Sequence, residues 1–172
     1  MSNPTWVSSQ IEVEVSGFFT THHYFQTEAG PQGELIMPAF EQRGTFRGSD
    51  GRELSVRKTS WLGSSHQLLD GELVRGTADR RGLFSRDILI HVNGQDYVLE
   101  PKGIFSWGWL LVDAEGTTVV EIEPRGVLRQ GAFLTPYTHL ALELVVFVYY
   151  LVYTRQQEEA AGAAAATGAA AS

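Results

Sequence analysis

The chain contains no cysteine, which removes thiolate nucleophiles, disulfide frameworks, thiolate zinc sites and cysteine-held iron–sulfur clusters. It also lacks a Gly-x-Gly-x-x-Gly fingerprint, a phosphate loop, a His-Glu-x-x-His pair and a Gly-x-Ser-x-Gly elbow, so the common enzyme signatures are missing and no cofactor is implied. Met1-Ser-Asn-Pro-Thr-Trp-Val-Ser-Ser-Gln10 has neither a basic leader nor an apolar run. A secretory or transit peptide is therefore not expected, and a cytoplasmic location is. Basic residues are absent from positions 1–42, which hold five Glu. All 13 Lys and Arg fall within 43–155, beside 13 Asp and Glu. A body so evenly mixed argues against a nucleic-acid partner, whose binding domain should be basic.

What is present is a β pattern. With 172 residues, 43% of them hydrophobic, the chain suffices for one core. An acidic, partly β segment is expected over 1–34, a main domain over 35–158 and a low-complexity Ala-rich tail over 159–172. A strand–turn–strand unit recurs three times: Gly44 to Lys58 with its turn at Ser49-Asp50-Gly51, Asp87 to Gly103 with Asn93-Gly94, and Trp109 to Gly126 around Glu115-Gly116. Glycine in these turns accepts the positive φ that tight hairpins require. Glu100-Pro-Lys-Gly103 and Glu123-Pro-Arg-Gly126 close the second and third copies, 23 residues apart. That spacing is too short for a helical crossover and right for consecutive antiparallel hairpins, so the spacing predicts a meander or barrel. Pro101 and Pro124 belong at strand ends or on a barrel rim. Ile11 to Val15, Leu35 to Met37, Leu68 to Val74 and Leu83 to Val92 read as further strands.

Residues 135–155 are ambiguous. Thr135 can cap a helix and Pro136 suits its first position, which predicts a helix over about 136–157. Local propensity disagrees, because Val145 to Tyr150 are all β-branched or aromatic. The run from Leu144 to Tyr153 is about half the roughly 20 residues that cross a bilayer, so no transmembrane span is expected. A helix apolar on every side must be enclosed by protein, here by the sheet.

The Asp-Gly and Asn-Gly hairpins, Phe105-Ser-Trp-Gly-Trp109 and the apolar Leu140-Ala-Leu-Glu-Leu-Val-Val-Phe-Val148 together resemble the tubby C-terminal-like group, which includes the LURP-one-related proteins. The resemblance covers roughly residues 35–158 and implies a closed antiparallel β-barrel of about twelve strands around a central hydrophobic C-terminal helix. Proteins of this kind bind phosphoinositide headgroups or are associated with phospholipid movement. No position-by-position match to a basic headgroup pocket is found here, nor a cysteine for a palmitoyl anchor.

Arg75, Arg80, Arg81 and Arg86 form the densest basic group and are candidates for an anionic headgroup or a partner. Asp79 and Asp87 offset part of their charge. His139 and Glu143, four apart, would share a helix face as a buried polar pair at the barrel mouth, or as half a metal site or an acid–base pair. His22-His23 reads as a solvated loop pair, since neighbours on a strand face opposite ways and no third ligand accompanies them. Ser64-Ser65-His66 with Asp70 has the residue types of a triad within one turn region, where the required geometry rarely arises. Trp61, Trp107 and Trp109 suit the core or a membrane interface. The leading expectation is a non-enzymatic module recognising a protein partner or an anionic membrane lipid, peripheral at the membrane in the second case. The alternatives are a small enzyme with a cleft beside His139 and Glu143, and a structural homo-oligomer.

Overall fold

A computed structural model describes residues 4–39, 41–59, 63–82, 85–103, 107–126 and 130–169, with side chains to 166. The strands are β1 (Trp6–Val7), β2 (Ile11–Ser16), β3 (Thr20–Thr27), β4 (Gly30–Pro38), β5 (Arg43–Gly48), β6 (Glu53–Lys58) and β7 (His66–Asp70). They continue as β8 (Leu73–Arg80), β9 (Ile88–Val92), β10 (Gln95–Pro101), β11 (Trp109–Asp113), β12 (Thr118–Pro124), β13 (Gly131–Pro136) and β14 (Leu140–Ala141), before helix α1 (Leu142–Ala169). From β2 to β13 each strand pairs antiparallel with the next, and β13 pairs back with β2, closing a barrel of 12 strands. Closure leaves no free edge in the barrel.

The turns obey the sequence. Asn93 at φ 51° and Gly94 at φ 79° form a two-residue connection with both φ angles positive, and Gly51 and Gly116 supply positive φ in theirs. Pro101 and Pro124 end β10 and β12, as expected of residues that cannot donate to a ladder.

The barrel does not begin at residue 35. Ile11 and Val13 of β2 face Leu134 and Ala132 of β13 across the closing seam, and all four side chains are at most 6% exposed. The alternating Ile-Glu-Val-Glu-Val pattern thus supplies a stave, and from Ile11 onward the acidic segment is part of the barrel. At the same seam Gly131 has φ 117°, and a Cβ there would sit 2.0 Å from the Val13 carbonyl oxygen, so only glycine fits.

Helix α1 occupies the lumen: every residue from Leu144 to Val152 is at most 3% exposed. Its β-branched and aromatic residues are overruled by hydrogen bonding. A strand in the lumen would leave its backbone N–H and C=O groups without partners, whereas a helix satisfies them internally. The helix begins at Leu142, not near 136, because Thr135 and Pro136 complete β13. Pro136 lies beyond the last β2 partner, Ile11 opposite Leu134, where its missing N–H costs nothing. The Leu142 N–H is instead taken by the Thr5 carbonyl at 2.8 Å, after β1 and β14 pair as a short strap across the mouth. The Ala-rich tail continues the helix to Ala169, consistent with the high helix propensity of alanine.

Phe147 is fully buried, and its ring comes within 3.5 Å of where a Cβ on Gly76 of β8 would lie. Phe147→Ala is expected to cost about 3–5 kcal/mol, read as a lowered midpoint in urea denaturation.

Candidate functional site

At the end of the barrel where α1 begins, the chain places an alternating row of charges. Glu143 is in the first turn of α1, where a carboxylate favours the helix dipole, yet it is 4% exposed and needs partners. Asn93, projecting from the β9–β10 turn, donates its amide N–H to Glu143 Oε1. Arg52, just ahead of β6, places Nη1 2.6 Å from Glu143 Oε2, an ionic contact outside hydrogen-bond angles. The same guanidinium donates through Nη2 to Asp70 Oδ2 at 2.8 Å. Its N–H holds the Asp70 carboxyl below the usual carboxylate range, with a smaller effect from Arg75. Arg75 of β8 reaches that same oxygen at 3.4 Å. Two cations and two carboxylates therefore alternate as Glu143, Arg52, Asp70 and Arg75.

A cavity of about 600 Å³ opens beside this row, lined among others by Trp6, Arg75, Gln95, Tyr97, His139 and Leu140. His139 does line it but is exposed and precedes α1. The expected His139–Glu143 pair is therefore incorrect, because with α1 starting at Leu142 the two do not share a helical face. Arg52 is the true partner, and the sequence hid it by placing it 91 positions upstream.

The arginine group does not converge either. Arg75 and Arg80 stand five residues apart on β8, about 17 Å at strand rise. Arg75 belongs to the mouth. Arg80, Arg81 and Arg86 belong to the opposite end, where α1 emerges. Arg81 contacts Asp87 at 3.5 Å, and Arg86 contacts Glu159 at 3.5 Å with its guanidinium 5.8 Å from the Trp109 ring centre. The Arg80 side chain has no hydrogen bond or ion pair among the described residues, although its backbone pairs with Ile88 in the β8–β9 ladder.

Three large aromatic side chains are exposed on hairpin connections at this helix-exit end: Phe18 at 86%, Phe19 at 74% and Trp107 at 81%. Of the expected tryptophans, Trp109 is buried in the core and Trp61 lies outside the described residues. Phe18 and Phe19 escaped the sequence reading, although Ser16-Gly-Phe-Phe-Thr20 carries the signal of bulky apolar residues set in a glycine turn.

His22 and His23 lie in β3, not in a loop, and face opposite ways as expected of strand neighbours. His22 pairs with Glu34 at 2.5 Å on the outside. His23 is fully buried in the lumen, where Nδ1 is 2.7 Å from the Tyr149 hydroxyl and Nε2 is 2.9 Å from Thr21 Oγ1. Burial, helped by the nearby His22, lowers its pKa to about 4. His66 and Asp70 occupy opposite ends of β7, so no triad forms with Ser64. Among the described residues, no group of three His, Asp or Glu is placed to hold a metal ion.

No family model, no curated relative and no solved structure matches this chain.

Two outcomes follow from these contacts. Arg52→Ala strands the buried Glu143 carboxylate and is expected to cost about 3–5 kcal/mol by denaturant unfolding, with Glu143→Gln restoring part of it in the double variant. His23 in the unfolded chain titrates near its ordinary 6.5 but near 4 when folded. Its contribution is thus complete above pH 6.5 and is lost as pH falls toward 4, about 3 kcal/mol in all. Unfolding midpoints across that window should show the loss, and His23→Gln should diminish it, leaving the part due to His66, whose pKa burial also lowers.

Proposed function

We propose that this chain is a non-enzymatic binding module that docks on an anionic phospholipid surface through the end from which α1 emerges. The observation that carries this reading is the exposure of Phe18, Phe19 and Trp107 at the same end as Arg80, Arg81 and Arg86. Aromatic rings partition into the headgroup boundary while nearby guanidinium groups meet lipid phosphates. The contacts of Arg81 and Arg86 are long and at the surface, so exchanging them for phosphate costs little. Charge along the axis supports the same orientation. The mouth-end turns and adjoining strand ends carry Glu28, Asp50, Asp70, Glu72, Asp96 and Glu115 around the rim, which an extended anionic surface would turn away from itself, whereas a single small anion inside the cavity meets Arg75. Beyond Glu159 no described helix residue is charged, so the alanine-rich remainder of the helix adds no charge to that end.

Among the described residues, no helix is long and apolar enough to cross a membrane; in this reading the protein is peripheral and faces the cytoplasm. The closed barrel with its enclosed helix supports the likeness to the tubby C-terminal-like group. An enzymatic role for His139 and Glu143 has weaker support, because both Glu143 oxygens are already engaged by Asn93 and Arg52.

Co-sedimentation with liposomes tests the proposal. Binding should appear with anionic but not neutral vesicles and weaken with salt. Arg80→Ala/Arg81→Ala should reduce it about 30-fold, at about 1 kcal/mol for each arginine, and Phe18→Ser/Phe19→Ser should reduce it at every salt concentration. Absence of binding to any vesicle would overturn the lipid reading and leave a protein partner or a homo-oligomer, which solution mass measurement separates.

A further inference from the structure

We infer that the mouth cavity is a binding site for a small organic oxyanion, a carboxylate or phosphate monoester with an apolar body, whose charged group is held by Arg75. Its volume of about 600 Å³ lies within the range of small-molecule sites. The charge of the ligand follows from which polar groups remain unengaged. Glu143 gives one oxygen to Asn93 and the other to Arg52, and Asp70 Oδ2 is shared by Arg52 and Arg75. Each carboxylate thus already faces an arginine, which disfavours a cationic guest.

Arg52 is committed through both terminal nitrogens, to Asp70 at 2.8 Å and Glu143 at 2.6 Å, although its Nε, like that of Arg75, is enclosed without an acceptor. Arg75 is not so committed. Among the described residues its guanidinium makes one contact, the 3.4 Å approach to an oxygen that Arg52 already holds at 2.8 Å, and its Nε is enclosed without an acceptor. Five N–H donors in a planar fork, so thinly used, match the paired oxygens of a carboxylate or phosphate. The Arg75 side chain is 29% exposed and lines both the mouth cavity and an adjoining hollow of about 290 Å³. An anion can therefore reach it from solvent.

The other walls set the rest of the ligand. Trp6, Leu140 and Leu144 offer apolar surface, while Gln95 and His139 add polar groups near the opening. Trp6 stands on the β1 strap, which is fastened by the Thr5 carbonyl to the Leu142 N–H and by the Thr5 hydroxyl to Asp50 at 2.7 Å. The aromatic wall is thereby fixed in place, although Trp6 is 61% exposed. This site is at the opposite end from the aromatic tips, so it does not depend on the lipid reading and would stay open to solvent on a docked molecule.

Isothermal titration calorimetry of the full chain with phenyl phosphate, benzoate, inorganic phosphate and neutral benzamide tests the inference. Saturable one-to-one binding of phenyl phosphate or benzoate is expected, the tighter of the two identifying the headgroup, with inorganic phosphate weaker for want of an apolar body. Arg75→Gln should weaken the binding at least tenfold and Trp6→Ala several-fold, while Arg57→Gln, exposed on the outer face of β6, leaves it unchanged. Trp6 is largely exposed, so its variant remains informative if the Arg75 variant folds poorly. No saturable binding of any of the anions, equal binding of benzamide, or affinity unchanged in both variants would overturn the assignment.

Discussion

A polypeptide segment running through the lumen of a closed barrel can take no backbone hydrogen bond from its walls, because every stave has already given its own to its two neighbours. Helix α1 is the answer to that constraint, and much of the molecule follows from it. Val145 to Tyr150 would favour an extended chain on propensity alone, a preference worth less than about 1 kcal/mol per residue. Leaving their amides and carbonyls bare would cost more than that at each buried group. The same constraint explains the strap, which supplies an acceptor to the first helical N–H, and the dense apolar lining of the inward-facing strand positions.

How far the sequence disclosed this depended on the range of the interaction. The hairpins were legible because their determinants are local: Asn93-Gly94 and Asp50-Gly51 contain their own turn chemistry, and Pro101 and Pro124 mark strand ends by lacking a donor. The enclosed helix was legible as a buried apolar run, but its start was not. Thr135 and Pro136 have the local features of a helix N-terminus, and only the pairing of Val120 with Pro136 makes them the end of a strand. The membership of β2 and β3 in the barrel was hidden for a related reason, since the seam joins Ile11 to Leu134, far away in sequence.

The candidate sites were less legible than the fold. Arginines that look like a cluster in sequence are divided between the two ends by β8, because a strand converts five residues into a long separation. Conversely, Arg52, Asp70, Asn93 and Glu143 are scattered through the chain but converge where four separate elements end at the mouth. Turn geometry gathers them there. The two ends thus acquire different chemistry from one repeated hairpin: the mouth has engaged carboxylates around an open cavity, and the far end has exposed rings among weakly engaged cations.

The order of the elements along the chain bears on biosynthesis. The staves leave the ribosome before the segment that fills them, so the apolar inner faces of β2 to β13 wait for α1 without the surface they are built to cover. Final assembly is therefore deferred until α1 itself has been translated. A nascent chain of this architecture should spend longer as a client of chaperones than one whose core is completed by early-synthesised elements.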